Sequence, residues 1–96
     1  MLQRTLGETI EIETVLASHP AVQEVSVVGV ADARWGEVPV AFVVLRSGHA
    51  LPGDLDGWCR RSLAGFKVPA RFIPIEALPR NAMGKVERTV LRQLAT

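Results

Sequence analysis

Two lysines, Lys67 and Lys85, stand against nine arginines in this 96-residue chain. Lys85 belongs to Pro79-Arg80-Asn81-Ala82-Met83-Gly84-Lys85, a segment opened by a proline and turned by a glycine. A chain that writes its positive charge as arginine has no need of lysine for solubility. A lysine kept on a glycine turn therefore asks for a chemical reason. Lysine carries a compact point charge on a flexible stem, whereas arginine is a planar fork. A site that presses one concentrated charge against a developing anion is served by the former. Chance retention of two lysines is the competing reading, since surface charges usually do nothing special.

Other constellations can be tested by spacing. A phosphate-cradling loop needs a glycine five residues before the Gly-Lys pair and a serine or threonine after it. Pro79 and Val86 occupy those places, which excludes it. Metal sites draw on clustered His, Cys, Asp or Glu, and Glu11 and Glu13, two apart on a helix, do not face each other. Spacing leaves a Ser-His-Asp triad open, but no serine sits on a Gly-X-Ser-X-Gly turn. RNA-binding sheets of this size display aromatic residues. This chain has no tyrosine, and its strands carry Phe42 and Phe72 alone.

Positioning these residues falls to one domain, for which 96 residues suffice. Hydrophobic residues make up 48% and charged residues 22%, the profile of a folded globule rather than a disordered chain. A net charge of +1 gives no footprint for nucleic acid or an anionic membrane. No segment has the length of a membrane span or the profile of a signal peptide, and a cytoplasmic location is expected. The lone Cys59 rules out a disulfide within the chain. It sits one turn from Leu55 and Leu63, which reads as a small buried apolar residue; as a nucleophile it has neither His19 nor His49 as a sequence neighbour.

Periodicity predicts a helix over 8–19, with Ile12, Val15, Leu16 and His19 on the apolar side and Pro20 as the stop. His19 then reads as a helix-terminal residue with a backbone partner. Residues 22–30 and 38–46 read as strands, the second apolar enough to be covered on both faces. Pro39 should lie near that strand's start or on an edge. The connection through Trp35-Gly36-Glu37 is too long for a two-residue hairpin. A helix over 53–64 follows, in which Gly53 and Gly57 each cost about 1 kcal/mol. A short strand over 71–76 and a last helix marked by Val86, Val90, Leu91 and Leu94 complete an α-β-β-α-β-α order. The expected fold is α+β, a small mixed sheet of about three strands flanked by helices.

Several segments, in order, resemble one family. They are Gly7-Glu8-Thr9-Ile10, Glu11 through Leu16, His19-Pro20-Ala21-Val22, Val27-Val28-Gly29-Val30, Asp32 through Glu37, Ala41-Phe42-Val43-Val44, Leu63 through Pro69, and Leu78-Pro79-Arg80-Asn81 through Gly84-Lys85. Together they are similar to the small C-terminal domain of the adenylate-forming enzymes: AMP-forming acyl-CoA synthetases, peptide-synthetase adenylation domains and luciferases. The resemblance implies that Lys85 is the catalytic lysine, delivered into a large N-terminal domain during ATP-dependent adenylation of a carboxylic acid, with Pro79 and Gly84 supporting its loop. It implies a rotation after adenylation that presents a second face, carrying Gly7 and Gly36, to the thiol of CoA or of a carrier protein's phosphopantetheine. Trp35 itself reads as a tryptophan packed beside its loop.

ATP with Mg²⁺ and CoA would serve the full enzyme, none held by this domain alone. The implied partners are the large adenylating domain, in cis or in trans, and CoA or an acyl or peptidyl carrier protein. Two departures accompany the match. Residues 1–6 do not supply the family's hinge motif, and are expected to be its remnant. The family's Gly-x-x-Ile-x-Pro-x-Glu pattern is also about one turn short, because Glu11 follows Ile10 directly. A lone domain is expected to be inactive without its large partner. A non-catalytic interaction domain that binds a carrier protein or the large domain is the alternative.

Overall fold

A computed structural model describes the backbone over residues 2–95 and the side-chain surroundings over residues 9–95. Its elements are α1 (Leu2–Ala17), β1 (Val22–Asp32), β2 (Gly36–Leu45), α2 (Leu55–Arg60), a 3₁₀ turn (Gly65–Lys67), β3 (Arg71–Pro74) and α3 (Arg88–Ala95). The sheet order is β1-β2-β3, with β1 and β2 antiparallel and β2 and β3 parallel. The α+β fold with a three-stranded mixed sheet is the one expected from the sequence.

The run Val40-Ala41-Phe42-Val43-Val44 is buried throughout, and that decides the layering. Ala41 and Val43 join Ile12, Leu16, Val22, Val27, Leu55, Cys59, Leu63 and Val68 in one cluster, which places α1 and α2 on one face. Val40, Phe42 and Val44 join Val28, Leu78, Leu91 and Ala95 in the other, which places α3 opposite. Pleat alternation assigns odd and even residues of β2 to the two faces.

Pro39 shows how the sheet accommodates a residue without an N–H. Its carbonyl accepts the Ala70 N–H at 2.8 Å, so its backbone polar edge faces the β3 side. Pairing with β3 begins only at Val40, opposite Arg71. The missing donor therefore costs no ladder bond.

α1 begins at Leu2, six residues earlier than the periodicity suggested. No proline precedes Pro20, so nothing interrupts the helical run. α2 is shorter than expected and stops at Arg60, passing through a turn in which Ser62 and Leu63 both donate to the Cys59 carbonyl. In α3 the buried residues are Leu91 and Ala95, whereas Leu94 is 59% exposed. Leu91 and Ala95 are four apart and share the inward stripe, which turns Leu94 out.

The outer edge of β1 is closed by side chains. Glu13 Oε2 accepts the Val27 N–H at 2.8 Å, and Arg88 Nη1 donates to the Val27 carbonyl at 2.6 Å. Arg88 Nη2 also meets Glu13 Oε2 at 3.2 Å. Two residues on, Arg92 Nε donates to the Gly29 carbonyl at 3.3 Å. At Val27 and Gly29 an acid from α1 and two arginines one turn apart on α3 thus do what a fourth strand would do, and block the middle of the edge as a template for pairing.

Phe42 is 1% exposed at the centre of the α3-side cluster. Phe42→Ala should destabilise the chain by about 3–5 kcal/mol. The total stability of such a domain is about 5–15 kcal/mol, so the variant should unfold at a much lower urea midpoint.

Candidate functional site

The Lys85 turn is built by its own backbone and by Asn81. Arg80 and Val86 form an antiparallel bridge. Within it, the Asn81 N–H donates to the Lys85 carbonyl at 2.9 Å, and the Gly84 N–H donates to the Asn81 carbonyl at 3.0 Å. Asn81 Oδ1 accepts from the Met83 N–H at 2.9 Å and the Lys85 N–H at 3.0 Å. Gly84 has a φ of 86°, the left-handed region that glycine enters without penalty. The Pro79 carbonyl accepts the Glu87 N–H at 2.8 Å and closes the base. Arg80 reaches both ways: Nη1 donates to the Gly84 carbonyl at 2.9 Å, and Nη2 meets Glu24 on β1 at 3.2 Å.

Lys85 is exposed on this turn, beside Met83, which is 87% exposed. Among the described residues Lys85 forms no ion pair. Lys67 contrasts with it: its ammonium meets Glu11 at 2.8 Å and lies 5.7 Å from the centre of the Phe66 ring. One lysine ties the 3₁₀ turn to α1, and the other is held out on a fastened loop.

The turn at Gly36 lies elsewhere. Asp32 Oδ1 accepts the Arg34 and Trp35 N–H groups at 2.8 and 2.9 Å, and Gly36 takes a φ of 81° opposite Asp32. Glu24 and Asp32 are eight residues apart on β1. At about 3.3 Å per residue, the two turns stand roughly 25 Å apart, at opposite ends of the hairpin.

A groove of about 1080 Å³ runs from the Gly36 turn past Gly29, Glu37 and Pro39 to Phe66 and Lys67. Trp35 and Phe66 are 69% and 73% exposed on its rim, so the expectation of a packed Trp35 is corrected. The Asp32 clamp fixes the backbone of the turn, the indole projects outward, and the Arg34 guanidinium lies over its ring, 5.0 Å from the centroid. The Glu37 carboxylate lies directly on Gly29, where a Cβ would stand 2.5 Å from its Cδ. A larger residue there would push the exposed Glu37 carboxylate aside, a contact with no local signal in the sequence. Gly7 falls within α1, and its surroundings lie outside the described side chains.

Residues considered for other chemistry resolve structurally. His19 Nδ1 accepts the Ala21 N–H at 3.1 Å, which leaves Nε2 to donate to Asp54 at 3.1 Å. Its ring meets Trp58 edge-on at 4.7 Å. It is the helix-terminal histidine with a backbone partner that the sequence suggested. Cys59 is fully buried, and its thiol is pushed up to about 11, by burial first and the Asp56 charge second. No group of three or more His, Cys, Asp or Glu that could hold a metal occurs among the described residues. No helix among them is long and apolar enough to cross a membrane.

Comparison with known proteins bears on the Lys85 turn. The profile of the AMP-binding enzyme C-terminal domain matches residues 11–85, ending on that lysine. The chain is 50% identical over 91 residues to 2-succinylbenzoate–CoA ligase of Bacillus cereus, covering 92% of this chain and 19% of that protein. Among solved structures, apo MatB from Rhodopseudomonas palustris matches with a TM-score of 0.86 at 38% identity, over 90% of this chain and 17% of that one. The o-succinylbenzoate CoA synthetase of Bacillus subtilis, in complex with its acyl-adenylate intermediate, matches with a TM-score of 0.80 at 44% identity, over 88% and 17%. The chain spans about a fifth of the length of the curated relatives it matches.

The raised Cys59 pKa has a definite sign. Between the unfolded value near 9 and the folded value near 11, the unfolded chain binds fewer protons, so folding stability falls as pH rises. Urea midpoints should therefore decline from about pH 9 to 11, and Cys59→Ala should flatten part of that slope. A thiol reagent at pH 8 should label the chain only in denaturant.

Proposed function

The chain belongs to the AMP-binding enzyme C-terminal domain family, and from that premise we propose that it is the lysine-bearing lid of an AMP-forming acid–CoA or acid–carrier ligase. The observation that carries the reading is the Lys85 ammonium, exposed and free of ion pairs among the described residues, on a turn fastened by Asn81, Arg80 and Gly84. The partner is a large adenylating domain, in cis or in trans, that holds ATP, its Mg²⁺ and the acid. Residues 1–96 form one domain in this reading, with residues 1–6 on its hinge side.

In adenylation, a carboxylate oxygen of the acid attacks the α-phosphorus of ATP, and pyrophosphate leaves. Negative charge gathers on the oxygens around phosphorus in the transition state. Such transfers are accelerated chiefly by positioning and by fixed positive charge. Lys85 supplies that charge inside a cleft where the effective dielectric is low and the interaction correspondingly strong. The paired Lys67 cannot do this without breaking its contact with Glu11.

In the second half-reaction a thiol sulfur attacks the acyl carbon and AMP leaves. We assign this face to the Gly36 turn and its groove. Exposed Trp35 and Phe66, with Arg34 and Lys67 against their rings, suit a donor combining flat or apolar parts with phosphate, as CoA or a phosphopantetheine arm does. A separation of roughly 25 Å between the two turns means that both cannot serve one reaction centre at once. Rotation of the whole domain between half-reactions follows. The relatives' own names include ligases for 2-succinylbenzoate and, in mouse, malonate, at 50% and 45% identity. Similar lids thus accompany different acids, and the choice of acid belongs to the large domain.

A chimera joining this chain to the large domain of the Bacillus cereus relative tests the reading. Lys85→Ala should slow acyl-adenylate formation by about 10²–10³-fold and leave thioester formation from preformed acyl-adenylate unchanged. Equal loss in both half-reactions would overturn the role given to Lys85. If the chimera makes no adenylate but the chain binds a carrier protein tightly, the domain is an interaction module instead.

Gly36→Val should show the reverse split. A β-branched residue is strained at a φ of 81°, so thioester formation should fall while pyrophosphate exchange continues.

A further inference from the structure

Asn81 touches Lys85 on both sides of its peptide unit. Its N–H donates to the Lys85 carbonyl, and its Oδ1 accepts the Lys85 N–H. The same Oδ1 takes the Met83 N–H, and the Asn81 carbonyl takes that of Gly84. Four hydrogen bonds therefore converge on one residue, and each fixes a backbone group within the last turn before the lysine. Arg80 then fastens the assembled turn to β1 through Glu24.

The side-chain part of this clamp uses an acceptor only. Aspartate can make the same turn. An aspartate here would set a carboxylate on the lysine's backbone N–H, within one side-chain length of the ammonium that the reaction uses, and an opposite charge there would offset the field that the lysine projects. Asparagine gives the acceptor without the charge.

Resting on the lid function proposed above, we infer that Asn81 is the positioning residue of Lys85, a neutral clamp that fixes the direction from which the ammonium leaves the turn. It acts through Lys85 and touches no substrate. A misplacement of about 1 Å in a reacting group can cost on the order of 100-fold in rate, so a clamp on the lysine's own peptide unit is a direct means of control.

Two measurements test this. In the 96-residue chain, amide hydrogen exchange followed by NMR should show the Met83 and Lys85 N–H groups exchanging at least about tenfold faster in Asn81→Ala, because both lose their acceptor. The β1 and β2 amides should be unchanged. Asn81→Asp should retain protection at both positions. In the chimera, Asn81→Ala should lower acyl-adenylate formation by about 10–100-fold and leave the thioester half-reaction intact. Asn81→Asp should lower adenylation as well, although its turn stays ordered.

Unchanged exchange in Asn81→Ala overturns the clamp. Unchanged adenylation, or equal loss in both half-reactions, overturns the positioning role. Full adenylation by Asn81→Asp overturns the requirement for a neutral acceptor. Lys85→Ala, run alongside, separates this inference from its premise. If that variant adenylates normally, the lid function fails and the positioning role falls with it, while the exchange data still decide whether Asn81 holds the turn.

Discussion

Burial of β2 on both faces is the constraint from which the architecture follows. Five consecutive apolar residues, Val40 to Val44, are removed from water. A strand with that pattern needs neighbours on both edges and cover above and below. β1 and β3 supply the edges. α1 and α2 cover one face, α3 the other. The two turns to which function is proposed are consequences of that arrangement. Gly36 sits where the chain folds back from β1 to begin β2, and the Lys85 turn is the crossing from β3 to the helix that covers the second face. Neither turn contributes to the core, so both are free to carry chemistry on a rigid support.

The support is rigid because the β1 edge is closed by ionic and hydrogen-bonded side chains at about the middle of the strand. Glu13 and Arg88 complete the valences of Val27 and pair with each other. An exposed ion pair would contribute little, but these two are partly buried and each is also bonded to backbone. Arg88 is three residues beyond Lys85. The helix that leaves the lysine turn is therefore docked at its first residue, while Arg80 docks the turn's other arm to Glu24. The turn is held between two arginines that reach different points of one strand. A loop so anchored can project a flexible side chain while keeping its own backbone in place.

These long-range closures are what the sequence conceals. Glu13 and Arg88 are 75 residues apart, and no local pattern links them. Periodicity located the first helix's inward face because Ile12 and Leu16 carry an unambiguous stripe. It misassigned Leu94 because the last stripe ends on a small residue, Ala95, which burial favours as much as the larger leucine. Composition marked Trp35 as a packing residue, since tryptophan is usually well buried. It projects outward from a turn whose backbone the Asp32 clamp fixes through two N–H groups. Gly84 was legible as a turn, because few residues but glycine enter the left-handed region freely, whereas Gly36 was legible only as part of a polar connection. The contact at Gly29 was not legible, because it is made by a carboxylate arriving from the neighbouring strand.

The distribution of lysine and arginine acquires a physical sense in this setting. Among the described residues, five arginines spend hydrogen bonds on backbone carbonyls: Arg46 on Pro20, Arg71 on Ala95, Arg80 on Gly84, Arg88 on Val27 and Arg92 on Gly29, with Arg80 and Arg88 also meeting Glu24 and Glu13. A planar fork with five donors suits that task, because several donors can be satisfied at once in a fixed geometry. An arginine at position 85 would have the same appetite. An ammonium has no preferred plane and is strongly hydrated. In the proposed lid function it stays in water until a site rich in anionic oxygen strips that water away. Arginine thus serves most of the bonds to the chain's own backbone, Lys67 is spent on Glu11, and Lys85 alone of the two lysines stands without an ion pair among the described residues.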